Sequence, residues 1–372
     1  MNSASREQHG RKAQRPEAPV GQVAVSSPEI ALPSESPIGN IPPVPLPQRV
    51  ASSRPRIPRV AALIALASRP NNSLINAAEK QNPSKVCEIL NDLRKAVWLD
   101  RKSLDRALCE VAKQGNEQVV RLLLEKGADI DAAGRNGDTA LVVASRDGHE
   151  QIFRLLLEKG ANINATGWSG ETALVGASRD GHEQIVRLLL EKGANVNGTG
   201  WNGDTALVGA SRDGHEQIVR LLLGKGADIN AVGELADTPL GSASSKGHNQ
   251  IVRLLLEKGA DINATGKHGN IALVSASESG HREVVQLLLE KGADINATSR
   301  FGDTLLVIAS GKGDEEMVRL LLEKGADVNR ARSLRFTAIE MAVRTRHWQI
   351  ERLLLEYGAQ PLSELQRYRH AQ

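Results

Sequence analysis

One arrangement in the sequence has the residue types needed for nucleophilic catalysis. Ser178, Asp180 and His182 lie in the string SRDGH, which holds a nucleophile, an acid and a base within five residues. The same string recurs at 145–149 and at 211–215. A catalytic triad needs one fixed geometry with an oriented base and an oxyanion site. Three copies at constant spacing are instead typical of a turn in a repeating structure, so we interpret SRDGH as a turn.

Metal and nucleotide sites are not indicated either. Five histidines recur one repeat apart, about 10 Å in a stacked array, which is too far to share a metal ion: His149, His182, His215, His248 and His281. TGWSG and TGWNG resemble part of a dinucleotide-binding loop, but no GK[ST] follows them. Cys87 and Cys109 lack the CxxC spacing of a zinc site and fall at apolar positions of predicted helices. We therefore predict a chain that is not an enzyme, with no cofactor, no metal and reduced core cysteines.

Charge and hydropathy narrow the possible partners. The chain has 47 Lys and Arg against 44 Asp and Glu, but residues 1–70 carry an excess of five positive charges and the remainder an excess of two negative ones. Phosphate binding needs clustered cations, so we expect no nucleic-acid binding by the repeats. The longest apolar run, 60–67, is far shorter than the ~20 residues that span a bilayer, and the first residues lack a secretory signal. We predict no membrane role and a cytoplasmic or nuclear location.

The elements that carry these residues repeat every 33 residues from about residue 71. A threonine marks the same phase in each unit, with Ile271 in the one gap: Thr139, Thr172, Thr205, Thr238, Thr304 and Thr337. In the second of these units Thr172 is a good N-cap for a short helix of small residues. A second helix places Ile185, Leu188 and Leu189 on one face, and Gly193 ends it in the left-handed conformation. A polar stretch and several glycines then predict an extended hairpin.

These motifs carry a family resemblance. TAL near the start of the unit, GH at the turn, RLLLEKGA, and DIN or NVN together resemble the ankyrin repeat, whose period is 33. The match covers about 300 of the 372 residues, and the near-identity of the units is similar to that of long ankyrin arrays in filamentous fungi. The resemblance implies an all-α solenoid of stacked helix-turn-helix units with β-hairpin loops. We predict an array of about nine units over 71–361, followed by a C-terminal tail or short helix over 362–372.

The preceding segment, 1–70, has a different composition. It holds 12 of the 15 prolines and no aromatic residue, so it cannot bury enough apolar surface to offset its ordering entropy. We predict a disordered, basic tail. Within it, residues 41–49 (IPPVPLPQR) resemble an SH3 ligand, although Val44 stands where the first proline of that register belongs. A docking motif and a plain spacer both remain open.

Candidate contact residues follow from the resemblance, because ankyrin proteins bind partners in a concave groove of hairpin tips and inner helices. Mapped onto this sequence, the tips are Arg135, Trp168, Trp201, Glu234, Lys267 and Arg300, with Phe301 beside the last, and the inner helices add Arg146, Arg179 and Arg212. Trp and Arg are the types that most often dominate interface energy. Two alternatives stay open. The two tryptophans stack on each other or on Gly200, and the three arginines pair with nearby acids for solubility and register.

Two functions follow. The first is a nonenzymatic scaffold or adaptor that acts as a monomer and binds a protein partner of unidentified kind in its groove. The second is a regulatory or targeting module of a larger enzyme or transcription-regulator assembly. Met1 and the tail favour the first, since we expect them to belong to a complete chain.

Overall fold

Helices follow one another in pairs along the chain. The computed structural model describes residues 71–92, 99–167, 170–200, 203–232, 238–266, 271–330 and 336–360, all of which belong to one unit spanning 56–372. The pairs are α1 (71–79) with α2 (Pro83–Asn91), α3 (Arg101–Lys113) with α4 (Glu117–Glu125), α5 (Ala140–Arg146) with α6 (Glu150–Glu158), α7 (Ala173–Arg179) with α8 (Glu183–Glu191), α9 (Ala206–Asp213) with α10 (Glu216–Gly224), α11 (Pro239–Lys246) with α12 (Asn249–Glu257), α13 (Ala272–Ser279) with α14 (Arg282–Glu290), α15 (Leu305–Lys312) with α16 (Glu315–Glu323), and α17 (Ala338–Arg344) with α18 (Trp348–Glu356).

The repeated threonine begins the first helix of each pair. Its hydroxyl oxygen accepts a hydrogen bond from the backbone N–H three residues later, as Thr172 does from Val175 at 3.3 Å. The same bond forms at Thr139, Thr205, Thr238, Thr304 and Thr337. It satisfies one of the free donors of the first turn. Ile271 occupies this position before α13 and makes no such bond, so that helix begins without a side-chain cap.

First helices inside the array are buried on nearly all sides because each one packs between two others. In α7 every residue from Ala173 to Ser178 is buried, and the helix contacts both α5 and α9. Small side chains allow this close approach, as predicted. Second helices bury one stripe, which in α8 includes Ile185 and Leu189 as predicted, while Leu188 is half-buried. Gly193 has a φ of 84°, which confirms the left-handed end of α8.

The packed stripes join into one apolar core that runs from Leu74 to Ala359. The prediction of an all-α array is confirmed, since no extended strand occurs within the described ranges. Within the described residues, four of the hairpins between units contain a single antiparallel bridge, such as the bridge that joins Thr166 to Thr172. Among these same residues no helix is both long and apolar enough to cross a membrane. The boundaries of the tail, the array and the C-terminal segment stay predictions, because residues 1–70 and 361–372 are not among the residues that the structure describes.

The last pair differs from the others on the side where a further unit would stack. Glu340 stands where the preceding first helix has the buried Val307, and Glu351 stands where the preceding second helix has the buried Val318. Both glutamates are half-buried. Terminal repeats need a polar outer face because they have a neighbour on one side only. These substitutions therefore end the apolar core at α17 and α18.

Candidate interaction surface

The sequence predicts a contact surface of hairpin tips and first-helix residues, and we call this candidate surface the tip face. Each described tip is closed by two backbone hydrogen bonds, as where Gly134 N–H donates to Asp138 O at 2.9 Å and Gly137 N–H donates to Gly134 O at 3.0 Å. The two residues enclosed, 135 and 136, are exposed. The backbone is thus held by its own bonds, so the enclosed side chains can vary without unfolding the hairpin.

Two predicted tip positions differ in what they contact. Arg135 is exposed and pairs with Glu79, with 3.2 Å between Nη1 and Oε1. An exposed pair of this kind contributes only ~0 to 1 kcal/mol. Arg300 is exposed, and its guanidinium carbon lies 4.5 Å from the centre of the Phe301 ring. Phe301 is 55% exposed, whereas Phe153 of the core is fully buried, so Phe301 is not a core residue.

Four further predicted tip residues lie outside the described residues: Trp168, Trp201, Glu234 and Lys267. Their contact role stays a prediction, and so does the alternative in which the two tryptophans stack.

The arginines predicted on the first helices lie in a network of carboxylates. Arg146 Nη1 is 2.9 Å from Asp138 and 3.6 Å from Glu171 of the next unit, and Arg179 Nη1 is 2.6 Å from that same Glu171. The acids are about nine-tenths buried. Glu171 thereby joins two consecutive units. The third arginine, Arg212, pairs with Asp204 in the same way.

This network changes the electrostatics of the guanidinium groups. Burial alone would lower the pKa of Arg146, but its hydrogen bond to Asp138 and the surrounding carboxylate charges outweigh burial and raise that pKa above its ordinary value. The pKa of Arg179 is raised for the same reason, with Asp180 and Glu171 as its partners. Both side chains therefore stay charged and held within the fold. These contacts support the register role left open above, and a contact role for the three arginines stays a prediction.

The histidines of the GH turns bond to the preceding unit. His182 Nε2 lies 2.8 Å from the carbonyl oxygen of Arg146, 36 residues earlier. Because a carbonyl only accepts, Nε2 carries the proton. Equivalent bonds form at His149, His215, His248 and His281. Each ring thus joins its own unit to the preceding one, and we call this hydrogen bond the histidine latch. Its place in the chain agrees with the interpretation of SRDGH as a turn.

The serine and the aspartate of the SRDGH string do not bond to the histidine in the described contacts. Ser145 donates its hydroxyl to the carbonyl of Leu141 at 2.7 Å, and the equivalent Ser178 is fully buried with no hydrogen-bond partner. Asp180 pairs with Arg179 at 3.1 Å. Within the described residues there is also no cluster of ligands suited to a metal ion.

A second set of bonds between units escaped the sequence reasoning. The side chain of Asn164 accepts from the backbone N–H of Asn195 at 2.9 Å, and the side chain of Asn195 accepts from the N–H of Asn197 at 3.1 Å. Asn197 in turn accepts from the N–H of Asp228 at 2.9 Å. The DIN and NVN motifs therefore supply a series of side-chain acceptors, whose hydrogen bonds to backbone N–H groups join consecutive units. Their strict recurrence was the available signal, although it did not show which atoms pair.

The two cysteines are free thiols, as predicted. Cys109 is buried, and Cys87 is half-buried against the core. Burial raises the pKa of the Cys109 thiol to about 12, with further contributions from the nearby carboxylates of Asp105 and Asp138. A thiol with so high a pKa is a poor nucleophile.

Stacked helix pairs, joined by hydrogen bonds between loop side chains and the backbone of neighbouring units, define a repeat protein. Comparison with protein families then identifies the repeat family. The profile described as "Ankyrin repeats (3 copies)" matches residues 74–167, 164–233, 231–299 and 296–364. The chain belongs to the ankyrin-repeat family. Comparison with curated proteins finds no significant match. Ankyrin repeats generally mediate protein–protein interaction and are typically noncatalytic.

Proposed function

We propose that this chain is a nonenzymatic scaffold or adaptor that binds a protein partner through the tip face. Its predicted contact residues are those named in the sequence: Arg135, Trp168, Trp201, Glu234, Lys267, Arg300 and Phe301 at the tips, with Arg146, Arg179 and Arg212 on the first helices. We also propose that it acts as a monomer, and its free thiols fit a cytoplasmic or nuclear location.

One contrast carries the proposal. Buried positions repeat almost without change, since Leu141, Leu174 and Leu207 are each at most 2% exposed. The tip position occupied by Phe301 is Asn136 in an earlier unit. Variation at positions that the fold does not need is typical of a binding surface. An exposed aromatic ring under an arginine combines the residue types that most often dominate interface energy.

Partner capture from the native source tests this proposal. A variant with Trp168→Ala, Trp201→Ala and Phe301→Asn is compared with the wild type by affinity capture, mass spectrometry and thermal melting. Asparagine at position 301 copies Asn136, so the hairpin backbone is preserved. We expect the variant to melt as the wild type does and to lose the partners that the wild type enriches.

A matched variant on the second helices, Arg154→Ala with Arg187→Ala, disrupts two exposed pairs with Glu150 and Glu183. It should capture the same partners as the wild type. Equal capture by all three proteins, or a large loss of stability in the tip variant, would show that the tips are not the contact surface.

A further inference from the structure

We infer that the C-terminal part of the tip face binds an acidic segment of the partner protein. The site, which we call the C-terminal patch, consists of Arg300, Phe301, Lys312, Phe336, Arg344 and Arg346. This inference rests on the proposed function and adds to it the chemistry and position of one contact.

The first observation is a change in how the first-helix arginine is neutralised. In three units an acid lies eight residues before the arginine and pairs with it, as Asp138 pairs with Arg146. In the last unit Phe336 replaces that acid, and the Arg344 guanidinium carbon lies 5.0 Å from the centre of its ring. Arg344 is exposed and makes no ion pair with any carboxylate in the described ranges. Its charge therefore remains available to a ligand.

Arg300 has the same kind of environment. Its guanidinium carbon lies 4.5 Å from the centre of the exposed Phe301 ring, and no described carboxylate pairs with it. An aromatic ring covers one face of a guanidinium, whereas the N–H donors point outward in the guanidinium plane. Those donors match the two oxygens of a carboxylate. Stacking also restricts the side chain beforehand, which lowers the entropy lost on binding.

The patch also contains two further cations, and several acids lie near it. Lys312 is exposed and donates to the carbonyl oxygen of Glu278, and Arg346 is exposed at the turn after α17. The nearby acids are Glu278, which is exposed, Asp303, which is half-buried, and Glu340, whose carboxylate accepts from the Thr337 backbone at its helix cap. Three more acids, Asp314, Glu315 and Glu316, line one cavity with Lys312, and each of them pairs with Arg282 or Arg319. The charges available to an acidic ligand are therefore those of Arg300 and Arg344, which have no carboxylate partner within the described ranges.

Charges elsewhere on the tip face favour a peptide over a nucleic acid. The first-helix ends of α5, α7 and α9 bring Asp147, Asp180 and Asp213 to this face. A continuous phosphate backbone running along the face would meet these carboxylates as well as the cations. A short acidic segment avoids them. Consecutive units lie about 10 Å apart, roughly the length of three extended residues, so a few acidic residues span the patch.

Fluorescence anisotropy with a short, labelled, Glu-rich peptide tests the inference on the full-length chain. We expect the wild type to bind, with affinity falling as salt increases, and Arg300→Ala with Arg344→Ala to weaken binding by about tenfold or more. Phe336→Asp restores the acid found at Asp138, so it should neutralise Arg344 and also weaken binding. Arg154→Ala with Arg187→Ala removes two cations from the second helices and should bind as the wild type does.

Several outcomes would overturn the inference. The wild type could fail to bind the peptide, or Arg300→Ala with Arg344→Ala could weaken binding no more than Arg154→Ala with Arg187→Ala does. The chain could also bind a single-stranded RNA of matched length more tightly than the peptide. Failure here is distinguishable from failure of the proposed function. If partner capture depends on the tip aromatics but Arg344→Ala changes neither capture nor peptide binding, the scaffold role stands and the acidic-segment site does not.

Discussion

A substitution at one turn glycine tests whether the histidine latches stabilise the array. Gly181 has a φ of +83°, and a methyl group added to it would lie 2.5 Å from Cε1 of the His215 ring. At the equivalent turn, Gly280 has a φ of +78°, and an added methyl would meet no atom within 4 Å, because Asp314 replaces the histidine of the following unit. Gly181→Ala and Gly280→Ala therefore impose the same backbone strain, but only the first displaces a ring.

The magnitudes follow from these two contributions. Alanine in the left-handed region costs about 1–2 kcal/mol, and both variants incur this cost. Displacing the His215 ring also breaks its bond from Nε2 to the carbonyl of Arg179, which is 2.9 Å long and contributes about 0.5–1.5 kcal/mol. We expect Gly181→Ala to destabilise the array by about 1 kcal/mol more than Gly280→Ala.

Urea unfolding followed by circular dichroism measures the global effect, and hydrogen exchange locates it. Exchange should increase across the joint between α7 and α10 in Gly181→Ala. In a His215→Ala background, Gly181→Ala should cost no more than Gly280→Ala does in the wild type, because the ring is already gone. Equal costs for the two glycine variants, or costs that add fully in the double variant, would refute the latch.

Three further predictions concern buried or capping groups. Ser178→Ala should raise the melting temperature, because it removes a buried hydroxyl that has no partner, whereas Ser145→Ala should not, because that hydroxyl bonds to Leu141. Differential scanning fluorimetry distinguishes the two, and equal shifts would contradict this reasoning. Wild-type stability in urea should fall as pH rises from about 9 toward 12, since the unfolded state loses the Cys109 proton while the folded state keeps it. Cys109→Val should show a smaller fall over that range, and an unchanged one would contradict the assignment. Ile271→Thr should add about 0.5–1 kcal/mol in urea unfolding by supplying the missing N-cap, and no gain would show that the cap is not limiting.

Much of the fold could be predicted because its determinants are local. Thr172 caps α7 through an atom three residues away, and Gly193 ends α8 through its own backbone angle. Such interactions are fixed within one unit, and the repetition then gives the whole array. The apolar stripe was less certain, since Leu188 proved half-buried although the helical period placed it inward.

The candidate site was only partly predictable, for a physical reason. Sequence placed Arg146 on a first helix with acids nearby, but its approach to both Asp138 and Glu171 of the next unit depends on how the units fold and stack. The stacking of Arg344 on Phe336 depends on the fold of the last hairpin in the same way. The sequence shows that Phe336 stands where earlier units have an acid, but it does not show what Arg344 then contacts.

By itself, then, the sequence determined the repeat, the helix ends and the family, because each is encoded in residues close together along the chain. Only the tertiary structure decided which loop atoms join one unit to the next. His182 meets the carbonyl of Arg146 across 36 residues, and Asn164 meets the N–H of Asn195 across 31. Those distances are set by the packing of the aliphatic helices, which brings the loops into register before any of these polar bonds can form.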